Sequence, residues 1–319
     1  MIIVTGGAGF IGSNIIRGLN KRGYSDILLV DNLLNGKKIL NINDLNINDI
    51  ILRDDFINRL TNGNDFNQVT AIFHLGACSS TTEWDGNYLI RNNFEYSKAL
   101  FSWCSLKGVP FIYASSASVY GLAKEGFSEN SFCEKPINAY AYSKYLFDHF
   151  IRKFHDKKSC QVVGLRYFNV YGPGECHKKN MTSPVFNFYQ QLEDHGECKI
   201  FKGSHGVDDG EHKRDFVYVE DCADVNIWFL ENREQSGIYN VGTGEARTFN
   251  DVANNVLTWK YGKANHSSRI KYVEFPKNLL GSYQSHTAAD LENLRKAGCE
   301  IVFRRIEEGI PQYLNQLNN

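Results

Sequence analysis

The chain has 319 residues, 42% of them hydrophobic and 22% charged, with 35 basic and 36 acidic side chains and a net charge of −1. That is ordinary globular composition, long enough for one large domain with a smaller lobe, and it offers no basic surplus to draw the chain to nucleic acid or anionic lipid. The eight cysteines, at 78, 104, 133, 160, 176, 198, 222 and 299, form no C-x-x-C pair and come no closer than sixteen residues, which speaks against a zinc site or a disulfide framework and for scattered reduced thiols.

The opening, "MIIVTGGAGFIGSNII", lacks a basic n-region, and glycines break its apolar run before signal-peptide length. No stretch approaches the ~20 apolar residues of a membrane span, so a cytoplasmic protein with a small-molecule partner is expected. Apolar strands are predicted at 2–5, 26–31, 71–76, 110–115 and 161–168, with helices at 11–22, 87–107 and 140–156 between them. Strands apolar throughout and separated by helices predict an α/β fold, a doubly wound parallel Rossmann sheet covered on both faces. The narrow stretch "LNINDLNINDII" (40–51) reads as a solvated loop feeding a short strand.

After about residue 170 the alternation fades. Loops at 172–182 and 203–214 bracket a helix near 183–195, and strand signals return at 215–219 and 237–242. The expected division is a Rossmann domain over 1–170 plus about 215–242, and a smaller, discontinuous α/β substrate lobe over about 171–214 plus 243–319.

Directly after the first strand, "TGGAGFIG" (5–12) places glycines at 6, 9 and 12. Glycine lets the backbone turn tightly and approach a pyrophosphate, and the helix opening near Phe10 aims its N–H groups at the phosphates. Asp31 ends the second strand nineteen residues past Gly12, which completes a dinucleotide-binding context. A carboxylate there favours a ribose 2′-OH, while Asn32, Lys37, Lys38 and Arg53 bring donors and positive charge to the same loops. These residues alone leave NAD against NADP open.

In "NAYAYSKYLF" (138–147), helical spacing puts Tyr140 and Lys144, at i and i+4, on one face. Tyr142 falls on roughly the opposite side, and Tyr142 and Tyr145 read as packing or surface residues. The Lys144 ammonium favours the Tyr140 phenolate, as would an oxidised nicotinamide. Ser116 stands at the C-terminal end of the strand at 110–115, where its hydroxyl can polarise the same substrate oxygen.

Glycine loop, serine and Tyr-x-x-x-Lys in this order resemble the extended short-chain dehydrogenase/reductase superfamily, and "YASSASVYG" (113–121), "LRYFNVYGP" (165–173) and "KRDFVYVED" (213–221) extend the likeness over most of the chain. More narrowly, the opening segment, "ACSSTTEWDG" (77–86), "EKPINAYAYSK" (134–144) and "HKKNM" (177–181) resemble the ADP-L-glycero-D-manno-heptose 6-epimerase family. The resemblance implies a bacterial isomerase of lipopolysaccharide-core heptose supply, using tightly held NADP, acting on an ADP-heptose and assembled as a homo-oligomer, pentameric in the family. Cofactor contacts carry over to Gly6, Gly9, Phe10, Ile11, Gly12, Asp31, Asn32, Lys38, Arg53, Leu75, Gly76, Ala77, Cys78, Ser79, Asn92, Tyr140, Lys144, Val170 and Lys178. Arg53 stands where the best-known members carry lysine, and Leu75 where they carry glutamate.

The implied reaction oxidises C6″ to a ketone and returns hydride to the other face, so an acid/base is needed for each orientation of the carbonyl. Tyr140 is the first. The resemblance supplies Lys178 as its counterpart, which by residue type alone cannot be told from Lys179. Substrate positions carry over to Asn169, Asn180, Asn187, Phe201, Lys202, Gly203, Ser204, Arg214 and Tyr283, with Asn180 replacing serine and Asn187 replacing histidine. The insertion "HGVDDGEH" (205–212) holds two histidines and three acids and reads as a solvated loop, with no metal expected. A 4,6-dehydratase would carry an Asp-Glu pair after the serine, where Ala117 and Ser118 stand. A cofactor-sensing binding module would lack the tyrosine or the lysine. A UDP-hexose 4-epimerase is the nearest alternative, and the 77–86 segment argues against it.

Overall fold

The computed structural model describes residues 1–318 apart from 64, 65, 67, 155–159, 205, 264, 265 and 277–282, and at 154, 179 and 180 it describes backbone alone. From the N-terminus come β1 (Ile2–Thr5), α1 (Phe10–Lys21), β2 (Ile27–Asp31), β3 (Asp49–Leu52), α2 (Arg53–Thr61) and β4 (Ala71–His74). A long helix follows, as α3 (Gly86–Leu89), a π-helical turn over Ile90–Glu95 and α4 (Tyr96–Lys107), and then β5 (Phe111–Ser116), α5 (Ala139–Phe154) and β6 (Val162–Tyr167). β1, β2, β4 and β6 are buried at every position, as strands covered on both faces must be. The rest comprises β7 (Asn169–Tyr171), α6 (Pro184–His195), β8 (Cys198–Phe201), β9 (Lys213–Tyr218), α7 (Val219–Glu231), β10 (Gly237–Val241), β11 (Ala246–Thr248), α8 (Phe249–Tyr261), β12 (Ile270–Val273), α9 (Glu292–Lys296) and α10 (Ile306–Leu317).

Seven parallel strands form the main sheet in the order β10-β6-β5-β4-β1-β2-β3. The chain winds outward from β1 to β3, then returns to place β4 on the other side of β1. That reversal opens a crevice at the C-terminal ends of β1 and β4, where sheets of this kind bind ligands. One face is covered by α1, α7 and α9, through Ile15, Ile16, Leu19, Ala223, Ile227 and Leu294. The other packs on α2, α4 and α5, through Phe56, Leu60, Leu100, Phe101, Phe147 and Ile151.

A separate core, including Val185, Phe188, Leu192, Val252, Val256, Ile310 and Leu314, gathers α6, α8 and α10 against a three-stranded sheet, β11-β9-β7. The structure divides the two returning strands that the sequence grouped together. β10 extends the main sheet beside β6, whereas β9 pairs parallel to β7 and antiparallel to β11. Both runs are apolar, and apolar character does not say which sheet a strand joins. The stretch 40–51 also differs from a solvated loop, because Asn41 and Ile42 are buried against the cofactor-loop side of the sheet.

Candidate active site

The glycine loop is built for close approach. Gly6 holds a left-handed φ of +68°, and a Cβ there would lie 2.7 Å from the backbone of Leu75 and Gly76. A Cβ on Gly12 would overlap the carbonyl oxygen of Gly6. α1 starts after Gly9 with no side-chain cap and no acid in its first turn, so its N-terminal partial positive charge points into the crevice. This cradle fits a dinucleotide pyrophosphate.

Asp31 is buried at the end of β2. One carboxylate oxygen accepts from the Ala8 N–H at 2.9 Å and the other from Lys38 Nζ at 2.8 Å. Lys38 Nζ also donates to the Asn32 carbonyl oxygen at 3.1 Å. Arg53 donates to the Asn92 side-chain oxygen and pairs with Asp54 at 2.8 Å. The Asp31 charge is therefore paired with the Lys38 ammonium and one backbone amide.

Residues 75–79 cross the C-terminal edge of β4. Leu75 N donates to Thr5 O at 2.9 Å, and Gly76 N to Thr5 Oγ1 at 3.2 Å. Asn93, in the π-helical turn and buried, clamps Cys78 on both sides, accepting from its N–H at 2.8 Å and donating to its carbonyl at 3.0 Å. The same amide donates to Ser143 Oγ at 2.9 Å, which donates to Tyr140 O at 2.7 Å. The clamp joins the loop to α5. Neither Asn93 nor the clamp is visible in sequence, because a single amide joins segments fifteen and fifty residues apart.

Tyr140 and Lys144 are each 8% exposed on one face of α5, while Tyr142 is 49% exposed on the other and packs on Tyr145 at 6.0 Å between centroids. Lys144 Nζ donates to Ala114 O at 2.9 Å, which fixes it beneath the end of β5. Burial holds its ammonium down to about 8, against the opposing charge of Asp148. Burial pushes the Tyr140 phenol up, opposed by a hydrogen bond with the Ser116 side chain. The expected lowering of the phenol is thus not realised by the protein alone, because desolvation outweighs that bond. The Cys78 thiol, itself raised by burial, faces both groups. Buried His74, bonded to Thr5 Oγ1 at 2.7 Å and Ser97 Oγ at 2.8 Å, is held to about 3 by burial and the Lys144 charge.

The turn 172–183 is fastened to the glycine loop by asparagines. Asn14 Nδ2 donates to Phe10 O at 2.9 Å and Pro173 O at 2.7 Å, and Asn41 Nδ2 to Ala8 O and Gly174 O, both at 3.0 Å. Asn35 Nδ2 donates to His177 O at 3.0 Å. Lys178 Nζ consequently sits 5.2 Å from the centroid of the Phe10 ring, at the start of α1. Burial lowers its ammonium, and Glu175 opposes that. Glu175, buried beneath the turn, accepts from Ser183 Oγ at 2.7 Å and from the backbone of Ser183 and Gly172. Val170 and Asn169 begin β7 at half-buried positions. The Lys179 and Asn180 side chains lie outside the described residues.

In the second lobe Arg214 is 7% exposed, with its guanidinium carbon 4.6 Å from the Tyr283 ring centroid and 5.9 Å from that of Phe249. Its Nη1 donates to Lys213 O at 2.8 Å, and among the described residues it enters no ion pair. Burial lowers its ease of charging, with Tyr283 opposing. Phe275 meets Tyr283 edge-on at 5.0 Å and Phe201 at 5.6 Å, and His212 meets Tyr283 at 5.2 Å. The insertion folds back as a built turn: Ser204 Oγ lies 2.9 Å from His212 Nε2, Gly203 N donates to Asp209 at 2.7 Å, and Gly210 N to Phe201 O at 3.2 Å. Lys202 instead points outward to Glu274 at 2.5 Å. Asn187 bonds Thr182 Oγ1 at 2.7 Å on the first turn of α6. Among the described residues no three His, Cys, Asp or Glu converge as metal ligands do.

A doubly wound dinucleotide cradle whose crevice ends in a buried Tyr-x-x-x-Lys pair and a serine defines a class of nicotinamide-dependent enzymes that move hydride at a carbinol carbon. Residues 2–242 match the model of the NAD dependent epimerase/dehydratase family, and the chain belongs to it. It is 53% identical, over 99% of its length and 97% of the relative's, to the ADP-L-glycero-D-manno-heptose-6-epimerase of Alkalilimnicola ehrlichii. The crystal structure of the Helicobacter pylori ADP-L-glycero-D-manno-heptose-6-epimerase superposes with a TM-score of 0.82 at 27% identity, covering 99% of this chain and 96% of that one. The UDP-glucose 4-epimerase of Thermus thermophilus, solved as a complex with NAD, superposes at 0.77 with 27% identity, covering 100% and 99%.

Proposed function

We propose that the chain is an ADP-glyceromanno-heptose 6-epimerase, an isomerase that interconverts ADP-D-glycero- and ADP-L-glycero-β-D-manno-heptose by oxidation and re-reduction at C6″. The observation that carries this reading is 53% identity along nearly the whole chain to an enzyme of that name, with Tyr140, Ser116 and Lys144 gathered at the crevice. An oxidised nicotinamide, when bound, supplies the hydride acceptor and a positive charge that favours the phenolate.

Tyr140 takes the C6″ hydroxyl proton in one orientation of the sugar, Ser116 bonds the same oxygen, and Lys144 stabilises the phenolate. Lys178 serves as acid/base in the other orientation, its burial favouring the neutral amine that a base requires. NADP is the dinucleotide that the adenosine end suits. Lys38 quenches the Asp31 charge that would repel a 2′-phosphate, and the Asn32 amide and the Arg53 guanidinium follow the ends of the adjacent strands β2 and β3. Gly6, Gly9, Gly12, Phe10 and Ile11 hold the pyrophosphate, and Leu75, Gly76, Ala77, Cys78, Ser79, Asn92 and Val170 complete the cofactor wall. The lobe of the seven-stranded sheet takes the cofactor, and the lobe around α6, α8 and α10 takes the sugar nucleotide. There Arg214 binds the diphosphate, with Tyr283, Asn169, Asn180, Asn187 and the Phe201–Ser204 edge around it. The reading carries with it a cytoplasmic homo-oligomer.

Incubation of purified protein with ADP-D-glycero-D-manno-heptose, followed by NMR at C6″, tests it. Conversion toward an equilibrium mixture is expected. An unchanged heptose, with a UDP-hexose turned over instead, overturns it.

A further inference from the structure

The catalytic face of α5 continues one turn past Lys144 to Asp148, a carboxylate with no exposure at all. Four hydrogen bonds reach it: Tyr113 Oη donates at 2.9 Å, Ser115 Oγ at 2.8 Å, and Arg166 through Nε at 2.9 Å and Nη2 at 2.8 Å. Tyr113 and Ser115 flank Ala114, whose carbonyl holds Lys144. Three consecutive residues of β5, the strand that ends in Ser116, are therefore tied to the helix that carries Tyr140 and Lys144. β6 is shaped for this. Ser115 pairs with Arg166 and Tyr113 with Gly164, and a Cβ on Gly164 would lie 2.5 Å from the Tyr113 hydroxyl oxygen.

The charges divide unevenly around this tie. Arg166 also bonds Glu134 and the Tyr120 hydroxyl, and Glu134 has Arg152 as a second cation. Lys144, above them, is faced by His74 from β4, Cys78 from the next loop and Tyr140 and Asp148 from its own helix. Of these His74 and Cys78 are driven toward their neutral forms, which leaves Asp148 as the negative charge one turn away. We propose that Asp148 is a positioning residue of this site: it fixes the Ser116-bearing strand against the helix of Tyr140 and Lys144, and places a carboxylate one helical turn from the Lys144 ammonium. The proposal rests on the epimerase reading for its substrate, though not for the tie itself.

The test compares Asp148→Asn with the double variant Tyr113→Phe, Ser115→Ala, which weakens the tie and leaves the charge and Arg166 in place. For Asp148→Asn, kcat is expected to fall about tenfold or more with KM within about twofold, and the alkaline limb of kcat to move to lower pH by about one unit. For the double variant a smaller fall in kcat is expected, with the alkaline limb at its wild-type position. Folded Asp148→Asn with wild-type kcat and pH profile overturns the proposal. If Asp148→Asn does not fold, the double variant decides: an unchanged kcat overturns the proposal, and a lowered kcat with an unmoved limb upholds its geometric half. Should wild-type protein leave the heptose unchanged, the reading fails separately, and the same split is expected on the UDP-hexose that it converts.

Discussion

Arg214→Met should weaken binding while leaving stability nearly unchanged. Arg214 and Arg166 are both buried, but Arg166 is surrounded by Asp148 and Glu134 while Arg214 has aromatic faces and one backbone carbonyl. Removing a buried guanidinium without a carboxylate leaves no orphaned charge behind. The carbonyl it bonds, Lys213 O, keeps the Thr287 N–H at 3.2 Å. Relief of desolvation, about 1–4 kcal/mol where buried ions give way to apolar groups, is offset by about 0.5–2 kcal/mol of lost cation–π attraction and about 1 kcal/mol for the hydrogen bond. These terms nearly cancel, so the melting temperature of the ligand-free protein should stay within about 5 °C of wild type. Arg166→Met leaves the buried Asp148 carboxylate without its cation, while Glu134 keeps Arg152, and should cost about 3–5 kcal/mol. Against the proposed diphosphate ligand the terms do not cancel, since a charge-assisted bond of about 1.5–3 kcal/mol is lost, a fall of roughly 10- to 150-fold in kcat/KM. Thermal melts of both variants beside steady-state epimerisation provide the measurement. An Arg214→Met melting temperature as low as that of Arg166→Met, or an unchanged kcat/KM, would refute the reasoning.

Tyr140→Phe should cut turnover by about 10²- to 10⁴-fold, while Tyr142→Phe, whose hydroxyl meets solvent, should stay within about twofold of wild type by the same NMR assay. Lys178→Met should lower turnover about 10²-fold and also weaken NADPH binding in a fluorescence titration, since its amine lies over Phe10 at the start of α1. Because burial holds Lys144 near 8, its ammonium is present below that pH and lost above it, so kcat should fall as pH rises through about 8; a flat profile to pH 10 would contradict this. Gly164→Ala drives a methyl into Tyr113 and should cost about 1–3 kcal/mol, read as a drop of several degrees in melting temperature.

The parallel sheet and the cofactor loop were legible because their signals are local: apolar runs, a glycine spacing, an acid at the next strand's end. The pairing of Tyr140 with Lys144 on one face needed only the pitch of a helix. Extending that face to i+8 reaches Asp148, a second charged residue on the stripe of Tyr140 and Lys144. Asn14, Asn35, Asn41 and Asn93 carried no local signal, since each joins segments far apart in sequence through a single amide. β9 and β10 show the same limit in strands, where the choice between two sheets lies in partners rather than in composition.

Those asparagine staples also bear on why the proposed site is split between two lobes. In the proposed mechanism the carbonyl oxygen is met in two orientations of the sugar by two acid/base groups on different elements, of which α5 furnishes one. The proposed second, Lys178, lies on a turn whose carbonyls, Pro173 and Gly174, share their donors with Phe10 and Ala8 of the glycine loop. Any movement that released the pyrophosphate end of the cofactor would therefore carry Lys178 out of place as well. Oxidation and re-reduction form a redox-neutral cycle only if the same cofactor molecule stays through both, and in the proposed site one set of amide hydrogen bonds ties the glycine loop that would hold the cofactor to the turn that carries Lys178.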